Sequence, residues 1–340
     1  MVIPLLSRLR PALPPDNAPR FPGVQGHVES WFWRANHPTE RKAVWIKATV
    51  LVPLEGEPTA DVWCITFDGD DVAGRRSTVP LPSGRFDGDP LVIELAGARF
   101  ELDPHRGRLT GTVEDLSWDL SFRPTSGPLA EPLCLLPTRR LLAGPLPRSK
   151  AITPFPSLVF DGSIRRGKQE WAVRGWDGMQ GHNWGREHAE EYAWAQCLFP
   201  GSEGPAVVVE GVSVRLRMGG RLTPWLSGLV VRRGSQAWRF DRIVDTWRQD
   251  VAINDMTWTL RIRGSQGAAV LTVQADPAEM ACLGYRNPDG RLSYCMNSKL
   301  SAVTLRVDPV NDDAFACRSE HGGALEFLRA EPDSRLGEVV

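Results

Sequence analysis

The stretch GMQGHNWGREHAEEYAWAQ (residues 178–196) crowds His182, His188, Trp184, Tyr192, Trp194 and Gln196 among charged groups, more potential chemistry than any other span of the chain. Histidine is the side chain best able to exchange a proton near neutral pH, so His182 is the first candidate for a general acid or base. Gly178, Gly181 and Gly185 around it suggest a tight turn that would aim its ring and that of Trp184 inward. The plain alternative is a hydrogen-bonded turn histidine. Burial can raise a carboxyl pKa into a useful range, and two carboxyls interrupt strand-like runs: Glu29 in HVESWFWRA and Glu210 in VVVEGVSV. The spacing of His182 and His188 matches no usual metal-ligand arrangement, so no metal is expected. No GxSxG, GxGxxG or P-loop is present, so neither a serine-hydrolase centre nor a nucleotide cofactor is implied.

Aromatic groups surround these candidates. If EYAWAQCLF (191–199) is a strand, Tyr192, Trp194 and Gln196 share one face and Ala193, Ala195 and Cys197 the other. The large face reads either as a ligand-contacting surface or as an ordinary half-buried strand face. Glu29, Trp31 and Trp33 share a face of the first strand, and Trp45, Lys47 and Thr49 a face of the next. Glu29 and Lys47 would neutralise each other if they are neighbours. There are 13 Trp against 3 Tyr, several beside polar side chains, which suits a cavity better than a uniformly apolar core. The expected ligand contacts are Trp31, Trp33, Trp184, Tyr192, Trp194, Gln196 and Asn297, the last a polar insertion in SYCMNSKLSAV.

The elements that must hold these groups have a period of two. HVESWFWRA, AVWIKATVLV, DVWCITFDG and LVIELAGARF alternate and end in Gly, Pro or Asp, and LTGTVEDLSWDLSF reads as two more strands. The pattern resumes after residue 155. Helical periodicity is scarce; LCLLPTRRLLAG is the best candidate, and Pro137 interrupts it. The expected fold is therefore all-β: two antiparallel barrel or sandwich domains at 23–123 and 157–330, a Pro-rich crossover at 124–156, an extension at 1–22 and a tail at 331–340. Lys+Arg 40 against Asp+Glu 41 leaves no basic field to recruit nucleic acid. The six cysteines form no CxxC pair and read as free thiols. The N-terminus lacks the order of a signal peptide and no apolar run is long enough to span a membrane. A cytoplasmic protein whose partner is an apolar small molecule is the resulting expectation; its oligomeric state is not legible.

GHNWG (181–185) followed by a Y-x-W-x-Q strand resembles the (D)HNWG-type signature of the two-domain lipocalin-like, or calycin, group. That group holds bacterial carotenoid 1,2-hydratases, tocopherol cyclases, AttH-like proteins and fungal pericyclic cyclases. ESWFWRA followed by AVWIKATV is similar to the group's first strands, and the resemblance spans about residues 23–330. It implies two lipocalin-like domains with an apolar cavity at or near their junction, and acid-initiated hydration or cyclisation of isoprenoids or templated cyclisation of polyenes. His182 and Trp184 match the motif. The acid that often precedes the histidine is Gly181 here, and Ala193 rather than an Asp follows Tyr192, so Glu29 and Glu210 are the substitutes to examine. Two functions remain open: a cofactor-independent hydratase, cyclase or isomerase using Glu29, Glu210 or His182, and a non-catalytic carrier of an apolar ligand.

Overall fold

Alternating residues become strands wherever one face can be buried and the other paired or wetted. A computed structural model describes residues 15–201, 205–242, 244–245 and 249–336, so the expected extension and tail lie partly outside the described residues. The first sheet contains β1 (His27–Asn36), β2 (Lys42–Val52), β3 (Thr59–Asp68), β4 (Asp71–Pro80), β5 (Arg85–Gly88), β6 (Leu91–Leu95), β7 (Ala98–Leu102), β8 (Gly107–Val113), β9 (Leu116–Pro124), β10 (Ser149–Arg166) and β11 (Gln169–Gly185). Sequence neighbours are sheet neighbours except at two places: β4 and β5 form the two edges, and in the middle β1 pairs with β11. The sheet curls, and ion pairs from Arg75 to Asp115 (2.7 Å) and from Arg166 to Asp71 tie the edge strand β4 to its far side.

The second sheet contains β12 (Glu191–Phe199) and β13 (Val207–Arg215) and, beyond a two-residue ribbon of β14 (Arg217–Met218) and β15 (Arg221–Leu222), a further run of strands. These are β16 (Leu226–Arg233), β17 (Gln236–Phe240), β18 (Gln249–Asn254), β19 (Thr257–Gly264), β20 (Gly267–Gln274), β21 (Ala281–Arg286), β22 (Leu292–Pro309) and β23 (Phe315–Arg329). Here too the first and last strands, β12 and β23, pair in the middle. The fold is thus all-β in two antiparallel sheets. The change of sheet falls between Gly185 and Glu191, later than the Pro-rich segment at 124–156. That segment leaves the first sheet, packs Leu133 against Val208 and Val230 of the second, and returns as β10. Its candidate helix is a single 3-10 turn, Arg139–Leu142.

Strand alternation sorts the interior into layers. Trp31, Trp33, Val44, Ile46, Phe100 and Trp118 fill the curl of the first sheet; Ala193, Ala195, Cys197, Trp258 and Phe327 fill the second. The opposite faces meet each other through Trp45, Trp63, Phe67, Leu283, Tyr285 and Leu328. Trp31, Trp33, Trp45, Trp63, Trp176 and Trp258 are all fully buried in these layers, Trp31 and Trp33 among them being expected ligand contacts. Five of the six thiols are buried and Cys317 is half-buried, all free.

The glycines of GMQGHNWG do not make the expected turn. All three lie within β11, and none has a positive φ. Gly181 is glycine for space: it pairs with Phe32, and a Cβ there would sit 2.2 Å from the Phe32 ring. Gly181→Ala is expected to lower stability by about 1–3 kcal/mol through overpacking, read as a fall in melting temperature; an unchanged melt would contradict this account of the position.

Candidate functional site

Pairing of β1 with β11 sets Glu29 opposite Trp184 and Trp31 opposite His182. Because Cα partners share a face, the carboxylate, both indoles and the imidazole all point into the curl of the first sheet. Glu29 and His182 are completely buried. His182 Nε2 lies 2.8 Å from Glu29 Oε1, and His182 Nδ1 lies 2.6 Å from the Asp16 carbonyl oxygen. A carbonyl only accepts, so Nδ1 carries a hydrogen. Burial opposes charge on Glu29, but hydrogen bonds from His182 and His27, attraction to His182 and the Arg20 backbone N–H outweigh it and hold the carboxyl below its usual range. With Glu29 a carboxylate, the 2.8 Å line must be filled by a hydrogen on Nε2. The pair is then an ion pair with one transferable proton on Nδ1, aimed away from the carboxylate.

Rings pack around this proton. Trp31 stacks on the imidazole with centroids 4.9 Å apart and planes 10° from parallel, and Trp184 lies 4.8 Å away on a tilt. His27 adds a contact of 3.2 Å to Glu29 Oε2. The remaining wall is the chain itself. Residues 15–22 cross the site: Asn17 O accepts from Trp31 Nε1 (3.0 Å), Asn17 Oδ1 accepts from Gln180 Nε2 (2.9 Å), and Arg20 N donates to both Glu29 oxygens at 2.9 Å. The Arg20 guanidinium lies over Trp184 at 5.1 Å, and Asp16 is held by Arg139.

The other sequence candidates lie elsewhere. Trp33 stacks on Phe100 in the core of the first sheet. Lys47 points to the opposite face from Glu29, so the two are not neighbours; its ammonium lies 4.0 Å from the Tyr285 ring, and burial pushes its pKa down to about 8. Glu210 belongs to the second sheet, where Oε1 accepts from Thr153 (2.9 Å) and Trp194 (3.1 Å). Its Oε2 has no partner among the described residues, and burial pushes this carboxyl up to about 7. Gln196 receives Arg34 and donates to Pro156 O at 2.9 Å. Tyr192 (3.3 Å), Asn297 (3.2 Å) and Lys299 (2.7 Å) all donate to Glu326. These groups occupy the junction between the sheets, where the cavity beside Arg34, Asp177, Leu198 and His321 is about 60 Å³, room for about two waters. An open groove of about 730 Å³ at Arg263, Asp308 and Val310 contains none of the candidates. His188 is also separate, its ring 5.3 Å from Tyr285.

With this geometry in view, comparison with known proteins is informative about fold. No family model matches the chain. The uncharacterised Mycobacterium tuberculosis proteins MT0513 and Rv0493c are each 26% identical over 291 residues, 85% of this chain and 84% of theirs. A Nitrosomonas europaea protein assigned as an AttH superposes with a TM-score of 0.58 at 14% identity, over 96% of this chain and 100% of its own. Kievitone hydratase from Nectria haematococca gives 0.53 at 11% identity, over 92% and 91%. The fold is shared with both of these solved proteins. In the signature that GHNWG resembles an acid often precedes the histidine, and it would here occupy position 181. Strand alternation turns that position away from His182 and against Phe32. In this chain the carboxylate beside the histidine comes from β1 instead.

Reading by alternation also finds what motif reading missed: His27 precedes Glu29 by two, and Gln180 precedes His182 by two, each on the same face. The contributions of Asp16, Asn17 and Arg20 come from a segment without periodicity and left no such signal.

The two buried carboxyls act on opposite limbs of the stability profile. Glu29 is held below 4.5 when folded, so its contribution is present above that value and lost as pH falls below it; Glu29→Gln removes this acid limb. Glu210 rises from 4.5 to about 7, so the folded protein holds its proton longer than the unfolded one and loses stability as pH rises through that window. Glu210→Gln should remove that loss, about 3 kcal/mol between the ends. Urea titrations at about pH 3, about pH 5 and about pH 8 check both, the lower pair reading Glu29 and the upper pair Glu210; parallel profiles for wild type and Glu210→Gln between about pH 5 and about pH 8 would contradict the assignment.

Proposed function

We propose that the Glu29–His182 pair is the proton-transfer centre of a cofactor-independent enzyme acting on an apolar, isoprenoid- or polyene-like molecule by hydration, cyclisation or isomerisation. The observation that carries this reading is the division of labour on one imidazole: Nε2 is committed to Glu29, while Nδ1–H faces the one wall built from a separate segment of chain. A carboxylate on one ring nitrogen orients the ring and stabilises its cationic form, leaving the other nitrogen to give and take a proton. In a hydration, the Nδ1 proton passes to one carbon of a double bond and water adds to the other. The proton released by that water returns to Nδ1, so the imidazole ends unchanged. The faces of Trp31 and Trp184 suit a developing cation. Kievitone hydratase, a protein of similar fold, is named as a hydratase, which is consistent with this class of chemistry.

The complete burial of the pair favours a second reading, in which it is structural and the protein carries an apolar ligand without changing it. Incubation with a panel of isoprenoid alcohols and ketones in deuterated water separates the two. A catalyst incorporates deuterium at carbon, and His182→Gln and Glu29→Gln each lower the rate at least about 100-fold. Full turnover in both variants would overturn the assignment; a stoichiometric ligand recovered without product would favour the carrier.

A further inference from the structure

Residues 15–22 do more than cover the pair: they satisfy it with ordinary peptide groups. Two consecutive carbonyls, of Asp16 and Asn17, accept from His182 Nδ1 and Trp31 Nε1, and the next donor in line, Arg20 N–H, bonds to Glu29. Side chains also tie the segment down: the Asn17 amide oxygen accepts from Gln180, and the Arg20 guanidinium lies over Trp184. Phe21 meets Phe86 edge-on at 5.2 Å, Asp16 meets Arg139, and Pro19 and Ala18 rest over Gly88. The two donors of the site thus converge on adjacent oxygens supplied by a strap outside either sheet.

We propose that residues 15–22 are a displaceable strap that holds the ligand's place, and that the ligand bears an oxygen which replaces the Asp16 and Asn17 carbonyls on His182 and Trp31. This inference rests on the reading of the Glu29–His182 pair as ligand-facing, and adds that the ligand is an oxygenated apolar molecule rather than a pure hydrocarbon. The physical argument is one of satisfaction. Removing the strap leaves Gln180 Nε2 its bond to the Gly181 carbonyl but strips the partners from the ring donors of His182 and Trp31; a hydrocarbon would leave both unpaired, whereas a ketone or alcohol oxygen accepts from them.

A reversible lock tests this in the full-length chain. A Cβ built on Gly88 lies 3.2 Å from the Ala18 Cβ, close to the roughly 3.5–4.5 Å of disulfides, so the Ala18→Cys, Gly88→Cys double variant is suited to a bond between strap and β5. Binding of farnesol and of the hydrocarbon farnesene is measured by titration calorimetry on the oxidised and reduced forms of the same sample. The reduced form should bind farnesol at least about tenfold more tightly than the oxidised form, with recovery on adding reductant. It should also prefer farnesol to farnesene by about tenfold, the effect of one to two hydrogen bonds. Equal binding by oxidised and reduced protein, equal binding of the two probes, or binding of neither to the reduced form would each overturn the proposal. Gated binding with no deuterium incorporation would remove the catalytic reading and leave the strap, whereas turnover unaffected by the lock would remove the strap and leave the catalyst.

Discussion

A carboxylate and an imidazole with no solvent contact must satisfy each other and the backbone, because an unpaired charge at such depth costs more than a domain's margin of stability allows. Much else at this end of the first sheet follows from meeting that requirement at Glu29 and His182. The register of β1 against β11 brings the two onto one face, and Trp31 and Trp184 exclude water from both sides. The strap then supplies the carbonyl and N–H groups that no regular strand could offer to the far side of the pair. Since β1 and β11 are separated by most of the first sheet's sequence, the site assembles only when that sheet has closed on itself.

The second buried polar layer serves a different end. Arg34 sends its guanidinium across the junction to the carbonyls of Gln196 (3.2 Å) and Gly322 (3.0 Å), and Asn36 reaches the carbonyl of His321 at 3.2 Å. Lys299 and Glu326 pair behind Trp45 and Trp194. These contacts bridge the two sheets, tying their polar atoms together across the apolar faces. Glu210, Arg34 and Asn297 each keep one polar atom in this layer unpartnered among the described residues.

Strand content and the all-β class were legible because alternation depends only on one face being buried, and the face-sharing of Glu29 with Trp31 and of Tyr192 with Trp194 could be read directly. What lay beyond the sequence was which faces meet. Nothing in the local pattern says that β10 and β11 return to the first sheet, and without that return His182 has no partner and Glu210 looks as eligible as Glu29. The glycines misled for a related reason: Gly181 accommodates a ring on a strand 149 positions earlier, a tertiary constraint that mimics the local signature of a turn. The strap was invisible because its bonds to His182, Trp31 and Glu29 come from backbone groups, which leave no pattern in residue types.

Nitrogen NMR of His182 reads the state of its imidazole without a substrate. With the ring labelled, both Nδ1 and Nε2 should show a directly bonded hydrogen near neutral pH, with the carbon resonance of the Glu29 carboxyl in the ionised range. A bare Nδ1 would mean that the ring holds no proton toward the strap, and would contradict the account at its root.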